Sequence, residues 1–105
     1  MSSQKYEMIF CIVNAGFAVE AMEAAKKAGA TGGTILRARG TANPEAEEFY
    51  NISIQPDKEI LWTIVPKEIK DDVLHKLYQD AGLSTQSKGI AFSLPVTSAI
   101  GLHED

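Results

Sequence analysis

Arg37 and Arg39 stand two residues apart in the run Thr34-Ile-Leu-Arg-Ala-Arg39. An extended backbone turns both guanidinium groups to one side. Two cations on one face could receive an anion or an acidic segment of a neighbouring subunit. The alternative is a charged edge strand that discourages aggregation. Glu45, Glu47 and Glu48 follow, in a polar stretch that reaches Asp57. Carboxylate pairs perform acid–base chemistry where a cleft separates their pKa values. In an exposed loop they read first as a solvated run, then as a partner-facing acidic patch or a cation site. Tyr50 beside Phe49 reads as aromatic packing at the base of that loop, with covalent modification as the other reading. Trp62 reads as core or subunit interface, with stacking on a base as the alternative. His75 and His103 have no carboxylate or cysteine neighbour that would make them catalytic. Cys11, the one cysteine, lies in an apolar run and reads as a buried thiol. No Cys/His spacing fits zinc, and no nucleophile–base constellation supports catalysis.

These residues need a scaffold, and the pattern supplies one. Tyr6 to Val13 is rich in β-formers and too short for a buried helix, so a strand is expected. Asn14-Ala-Gly16 is a turn. Phe17 to Ala28 has helical spacing, with Ala18, Met22, Ala25 and Val19 on or beside the apolar side. Gly29 is expected to end that helix as its C′ residue. A second strand is expected over Thr34 to Arg39, and a third over Ile60 to Val65. Pro66 closes the third strand and opens a helix from Lys67 to Ala81. There Ile69, Val73, Leu74, Leu77, Tyr78 and Ala81 form a stripe, and Asp71 and Asp72 suit its positive N-terminal end. Gly82 repeats the C′ role. A fourth strand is expected from Gly89 to Leu94, and the tail from Ser98 to Asp105 adds a turn or a small strand.

The order β-α-β, loop, β-α-β is the ferredoxin-like pattern: an α+β fold with a four-stranded antiparallel sheet. Right-handed crossovers put both helices on one face. The other face should then turn polar, and it does not. Met8, Phe10 and Ile12 oppose Ile9, Cys11 and Val13; Ile60, Trp62 and Ile64 oppose Leu61 and Val65. An uncovered apolar face is what soluble monomers avoid, so a homo-oligomer is expected.

The 105 residues are expected to form one domain, 1–105, with a long loop over 41–57. A net charge of −4 argues against non-specific nucleic-acid binding. No apolar run has the length of a membrane span, and Met1-Ser-Ser-Gln-Lys5 lacks a signal-peptide core. A cytoplasmic protein without membrane insertion is expected.

Three segments together resemble the PII signal-transduction (nitrogen regulatory) family, in its divergent PII-like branches. They are Gly29-Ala-Thr-Gly-Gly-Thr-Ile-Leu-Arg-Ala-Arg-Gly40, Glu59-Ile-Leu-Trp-Thr-Ile-Val-Pro66, and Lys88-Gly-Ile-Ala-Phe-Ser-Leu-Pro-Val96. The resemblance implies a trimer with the sheets packed inside and adenine-nucleotide effector sites between subunits. It also implies a T-loop, here 41–57, that contacts a regulated protein such as a transporter or an enzyme. Thr34, Gly40, Lys58 and Gly89 match positions lining that cleft, and Lys88 partly replaces a displaced lysine. Arg37 and Arg39 join them as candidate effector residues. Glu45, Glu47, Glu48, Phe49 and Tyr50 are the candidate partner-binding residues. No cofactor or metal is required.

The chain departs from the family at its phosphate contacts. Ser84-Thr-Gln-Ser-Lys88-Gly89 replaces a glycine-rich loop, and Gly101 and His103 stand where the family has arginines. Weakened triphosphate binding is expected. The other readings are an interaction module on the same trimer without nucleotide binding, and a small ferredoxin-like enzyme.

Overall fold

A computed structural model describes residues 5–41, 57–80 and 89–102. Strand β1 (Tyr6–Asn14) leads to helix α1 (Ala18–Lys27) and strand β2 (Thr34–Arg39). Strand β3 (Asp57–Pro66) leads through a single 3-10 turn (Lys67–Ile69) into helix α2 (Lys70–Asp80), and strand β4 (Ile90–Pro95) follows. The four strands lie in the order β2-β3-β1-β4, with every neighbouring pair antiparallel. The two helices pack against each other and against one face of the sheet. This is the expected βαββαβ arrangement.

The covered face holds the core. Ile9, Cys11 and Val13 of β1 and Leu61 and Val65 of β3 are fully buried there, under Ala18, Ala21 and Ala25 of α1 and Val73 and Leu77 of α2. Alanines let α1 approach the sheet closely. Their arc centres on Ala21, and Val19 lies well outside it, since each residue turns a helix by about 100°. Val19, expected beside the apolar side, is 62% exposed. Tyr78, expected in the stripe of the second helix, is likewise exposed, whereas Ile69 and Leu74 are half-buried against the core. Ala81 and Gly82 lie outside the described residues.

Gly29 ends α1 as expected. Its φ is +114°, its N–H donates to the Lys26 carbonyl, and the Ala30 N–H donates back to the Ala25 carbonyl. That pair of bonds is a Schellman motif. Strand β3 starts three residues earlier than its apolar run, because Asp57, Lys58 and Glu59 pair with Arg39, Ala38 and Arg37 of β2. Backbone pairing extends a strand through charged residues that have no place in a core. Strand β4 begins one residue later than expected, at Ile90. Among the described residues no helix is long and apolar enough to cross a membrane.

Candidate functional site

The long connection leaves β2 at Arg39 and re-enters the sheet at Asp57, so these strand ends are its stem. The β3 side of the stem is tied to the turn between β1 and α1. The Ala15 N–H donates to the Asp57 carbonyl at 3.1 Å. The Lys58 ammonium donates to the Asn14 side-chain oxygen. Oε1 of Glu59 accepts from the N–H groups of Gly16 and Ala18, at 3.0 and 3.1 Å. Phe17, at the N-cap position, has no side chain able to cap the helix. Glu59 therefore supplies from another strand what Ser, Thr, Asp or Asn usually supplies locally, and its charge suits the helix N-terminus. In the sequence Glu59 stands out only as the first residue of the segment Glu59-Ile-Leu-Trp-Thr-Ile-Val-Pro66. The missing local cap before Ala18 was the available signal, but nothing in the chain pointed to a residue 41 positions away.

The same stem gathers cations. Arg37 and Arg39 share a side of β2, and their cross-strand neighbours are Glu59 and Asp57. With Ala15, Ala38, Asp57 and Lys58 they line a cleft of about 380 Å³. Two expected effector residues, Arg37 and Arg39, thus share one face of the stem, and Gly40 follows Arg39 directly, whereas Lys58 lies one residue out of step on β3 and sends its ammonium to Asn14 on the other face. Among the described residues neither arginine has an ion-pair partner.

Thr34 and Gly89 lie elsewhere. Thr34 is at the start of β2, beside a separate cleft of about 290 Å³ whose walls include Met8, Gly33, Trp62 and Ile64. Gly89 precedes β4 on the opposite edge of the sheet. A Cβ there would sit 2.2 Å from the Ile12 carbonyl oxygen and 2.8 Å from a Val13 methyl. Close approach of β1 is thus a sufficient packing reason for glycine at this position. Lys88 and the loop residues Glu45, Glu47, Glu48, Phe49 and Tyr50 lie outside the described residues, as does His103.

The open face of the sheet is apolar across all four strands. Phe10 sits between Trp62 and Phe92, with ring centroids 5.3 and 5.2 Å apart and both pairs tilted. Met8, Ile12, Leu36, Ile60, Ile64, Ile90 and Leu94 continue the surface, by register. Trp62 is 40% and Ile90 60% exposed. Trp62 thus belongs to the open face and not to the core. Cys11, on the covered face, is the opposite case: burial pushes its thiol from 9.0 up to about 11, so it stays protonated and unreactive at neutral pH. His75 is exposed on α2. Among the described residues no three His, Cys, Asp or Glu side chains cluster.

No family model matches the sequence, and no curated protein matches it. Solved structures do match the fold. A PII-like signalling protein from Thermus thermophilus is 22% identical, with a TM-score of 0.65 over 87% of this chain and 85% of that one. CPII, a nitrogen regulatory PII-like protein from Thiomonas intermedia solved with ADP, AMP and bicarbonate, is 15% identical, with a TM-score of 0.68 over 92% and 96%. The GlnK–ATP complex of B. subtilis is 14% identical, with a TM-score of 0.71 over 95% and 91%. At these identities the likeness establishes the fold: the chain has the ferredoxin-like fold of the PII-like signalling proteins.

Proposed function

We propose that this chain is a cytoplasmic PII-like signalling protein. It assembles as a homotrimer, senses a small effector of the adenine-nucleotide class in clefts between subunits, and regulates a partner protein through loop 41–57. Thr34, Gly40, Lys58, Lys88 and Gly89 line the clefts, with Arg37 and Arg39 at their rim. Glu45, Glu47, Glu48, Phe49 and Tyr50 meet the partner, a transporter or an enzyme. The chain itself is not an enzyme in this reading, and it requires no cofactor.

The observation that carries the reading is the open apolar face, taken with the separation of Thr34 and Gly89 across it. They belong to opposite edges of a four-stranded sheet, about 14 Å apart across three strand spacings and offset by about three residues along the strands. On one chain a ligand joining them would lie unenclosed over Trp62, Phe10 and Phe92. Burying that face between copies would set the Thr34 edge of one subunit against the Gly89 edge of the next, covering the aromatic ladder and closing a cleft in one step. The fold shared with proteins solved with ADP, AMP or ATP supports the effector class. Effector occupancy then changes how the stem presents the loop, which shifts affinity for the partner.

The phosphate-poor sequences at 84–88 and at Gly101 and His103 favour nucleotides with fewer phosphates. They also favour a second reading, an interaction module on the same trimer with no nucleotide. Light scattering and calorimetry test both. A mass of three 11.4 kDa chains with saturable heat from AMP or ADP is expected. A trimer silent to ATP, ADP, AMP and cyclic dinucleotides moves the conclusion to the second reading. A monomer at micromolar concentration overturns both.

A further inference from the structure

The two edges of the sheet differ on the helix side. Antiparallel pairing in the order β2-β3-β1-β4 makes the outer strands, β2 and β4, run in opposite directions. The helices pack on β1, β3 and β4 and leave β2 largely bare. Ile35 shows the result. By register it points to the helix side, beside the fully buried Leu61, yet it is 40% exposed. The β4 edge is the reverse case. There α2 packs on the strand, and Leu74 and the exposed Tyr78 line a groove of about 290 Å³ with Gly89, Ile90 and Ala91. Register through β3 and β1 puts Ile35 level with Leu61, Cys11 and Ala91. One edge thus has an apolar side chain with no helix above it. The other has a helix with an open groove at its foot, at the same height in the sheet.

We infer that the two edges join between copies: Ile35 of one chain enters the groove beside Leu74 and Tyr78 of the next, on the helix side of the sheet. This joint rests on the reading of the chain as a ring of copies, and it adds a second contact behind the open apolar face. Strand direction fits it. Two copies standing side by side in the same sense bring β4 beside an antiparallel β2, which continues the alternation of the sheet. Charge selects it over pairing of like edges. A β2–β2 contact would set Arg37 and Arg39 against the same arginines of the second copy, and facing like charges destabilise. On the helix side β4 offers Ala91 and Ser93, which carry no charge. A joint between unlike edges is heterologous, so it repeats from copy to copy and builds a ring where the rotation closes. Ile35, Leu74 and Tyr78 hold no effector in this reading. They fix the spacing between Thr34 of one copy and Gly89 of the next.

The test is cross-linking of the full chain with a short bismaleimide, read on a denaturing gel beside the light-scattering mass. Ile35→Cys with Tyr78→Cys should give covalent dimers and trimers that neither single variant gives. The native chain should give none, since Cys11 is buried. Val19→Cys with Tyr78→Cys should also give none, because Val19 is exposed on α1, which packs on the inner strands β1 and β3. Ile35→Asp should lower the mass toward one 11.4 kDa chain with the circular dichroism unchanged, whereas Val19→Asp should not. Three results overturn the joint: no link in the double variant, a link through Ile35→Cys alone, which would mean that β2 meets β2, or equal linking through Val19→Cys. A mass of three chains without the link removes the joint and leaves the trimeric sensor standing. A linked ring that gives no heat with AMP or ADP keeps the joint and drops the effector. A single-chain mass removes both.

Discussion

Leu61 and Trp62 are neighbours on β3 and live in different environments. Leu61 is 0% exposed beneath the helices, and Trp62 is 40% exposed on the other side of the same strand. The covered face is a finished core of aliphatic side chains, small alanines and one protonated thiol. The open face is equally apolar, carries the large aromatics, and is left uncovered among the described residues. Burying apolar surface stabilises in proportion to the area removed from water, about 25 cal/mol per Å². The first face has already realised that gain within one chain. The second keeps that gain in reserve.

The comparison breaks if the two faces respond alike to mutation. The largest effect is expected from Leu61→Ala, which should cost about 2–5 kcal/mol of stability by leaving a cavity, measured by urea denaturation. Trp62→Ser should act differently, lowering the mass by light scattering toward one 11.4 kDa chain while the helical circular dichroism persists. If Trp62→Ser also unfolds the chain, the two faces are not separable.

The thiol on the covered face gives the next effect. Folding raises the Cys11 pKa from 9.0 to about 11, so the folded state disfavours the thiolate that the unfolded chain forms readily. This contribution is fully present below pH 9.0 and is lost as pH rises through about 11. It amounts to about 2–3 kcal/mol at roughly 1.4 kcal/mol per unit. Denaturation midpoints across that window should fall more steeply for the native chain than for Cys11→Ala. Parallel slopes would show that the thiol is not shielded.

Smaller differences follow at the edges and the stem. Gly89→Ala forces a Cβ into the β1 backbone and should cost about 1–3 kcal/mol. Gly32→Ala, with nothing within 4 Å of the added carbon, should stay within about 0.5 kcal/mol of the native chain by thermal melting. Glu59→Gln keeps the acceptor oxygen but removes the charge at the α1 N-terminus, for about 0.3–1 kcal/mol. Glu59→Ala removes the cap as well and should cost about 1 kcal/mol. Equal losses for the two Glu59 variants would assign the whole effect to charge.

Much of this was legible in the chain. Strand alternation has a period of two and helix burial one of 3.6, so Met8, Phe10 and Ile12 separate from Ile9, Cys11 and Val13 without any structure. Gly29 announces the end of α1 because few other residues take a positive φ there. The right-handed crossover rule puts both helices on one side. The misses share a cause. Apolarity alone puts Val19 and Tyr78 inside, whereas the angle at which each helix meets the sheet sets which arc is buried. The apolar run alone starts β3 at Ile60, whereas pairing with Arg37 to Arg39 extends it through Asp57, Lys58 and Glu59.

The residues of this protein, read alone, determined the order of its elements, the two-sided greasiness of its sheet, and the pairing of Arg37 with Arg39 on one side of a strand. All of these are local, because periodicity and turn chemistry act over a few residues. Only the tertiary structure decided that Glu59 caps a helix 41 residues back, that Gly89 must be glycine to pass the Ile12 carbonyl, and that Lys58 turns to Asn14, away from the two arginines. Those are meetings between distant segments. They depend on strand register and on the close approach of packed backbones, which no window of sequence contains.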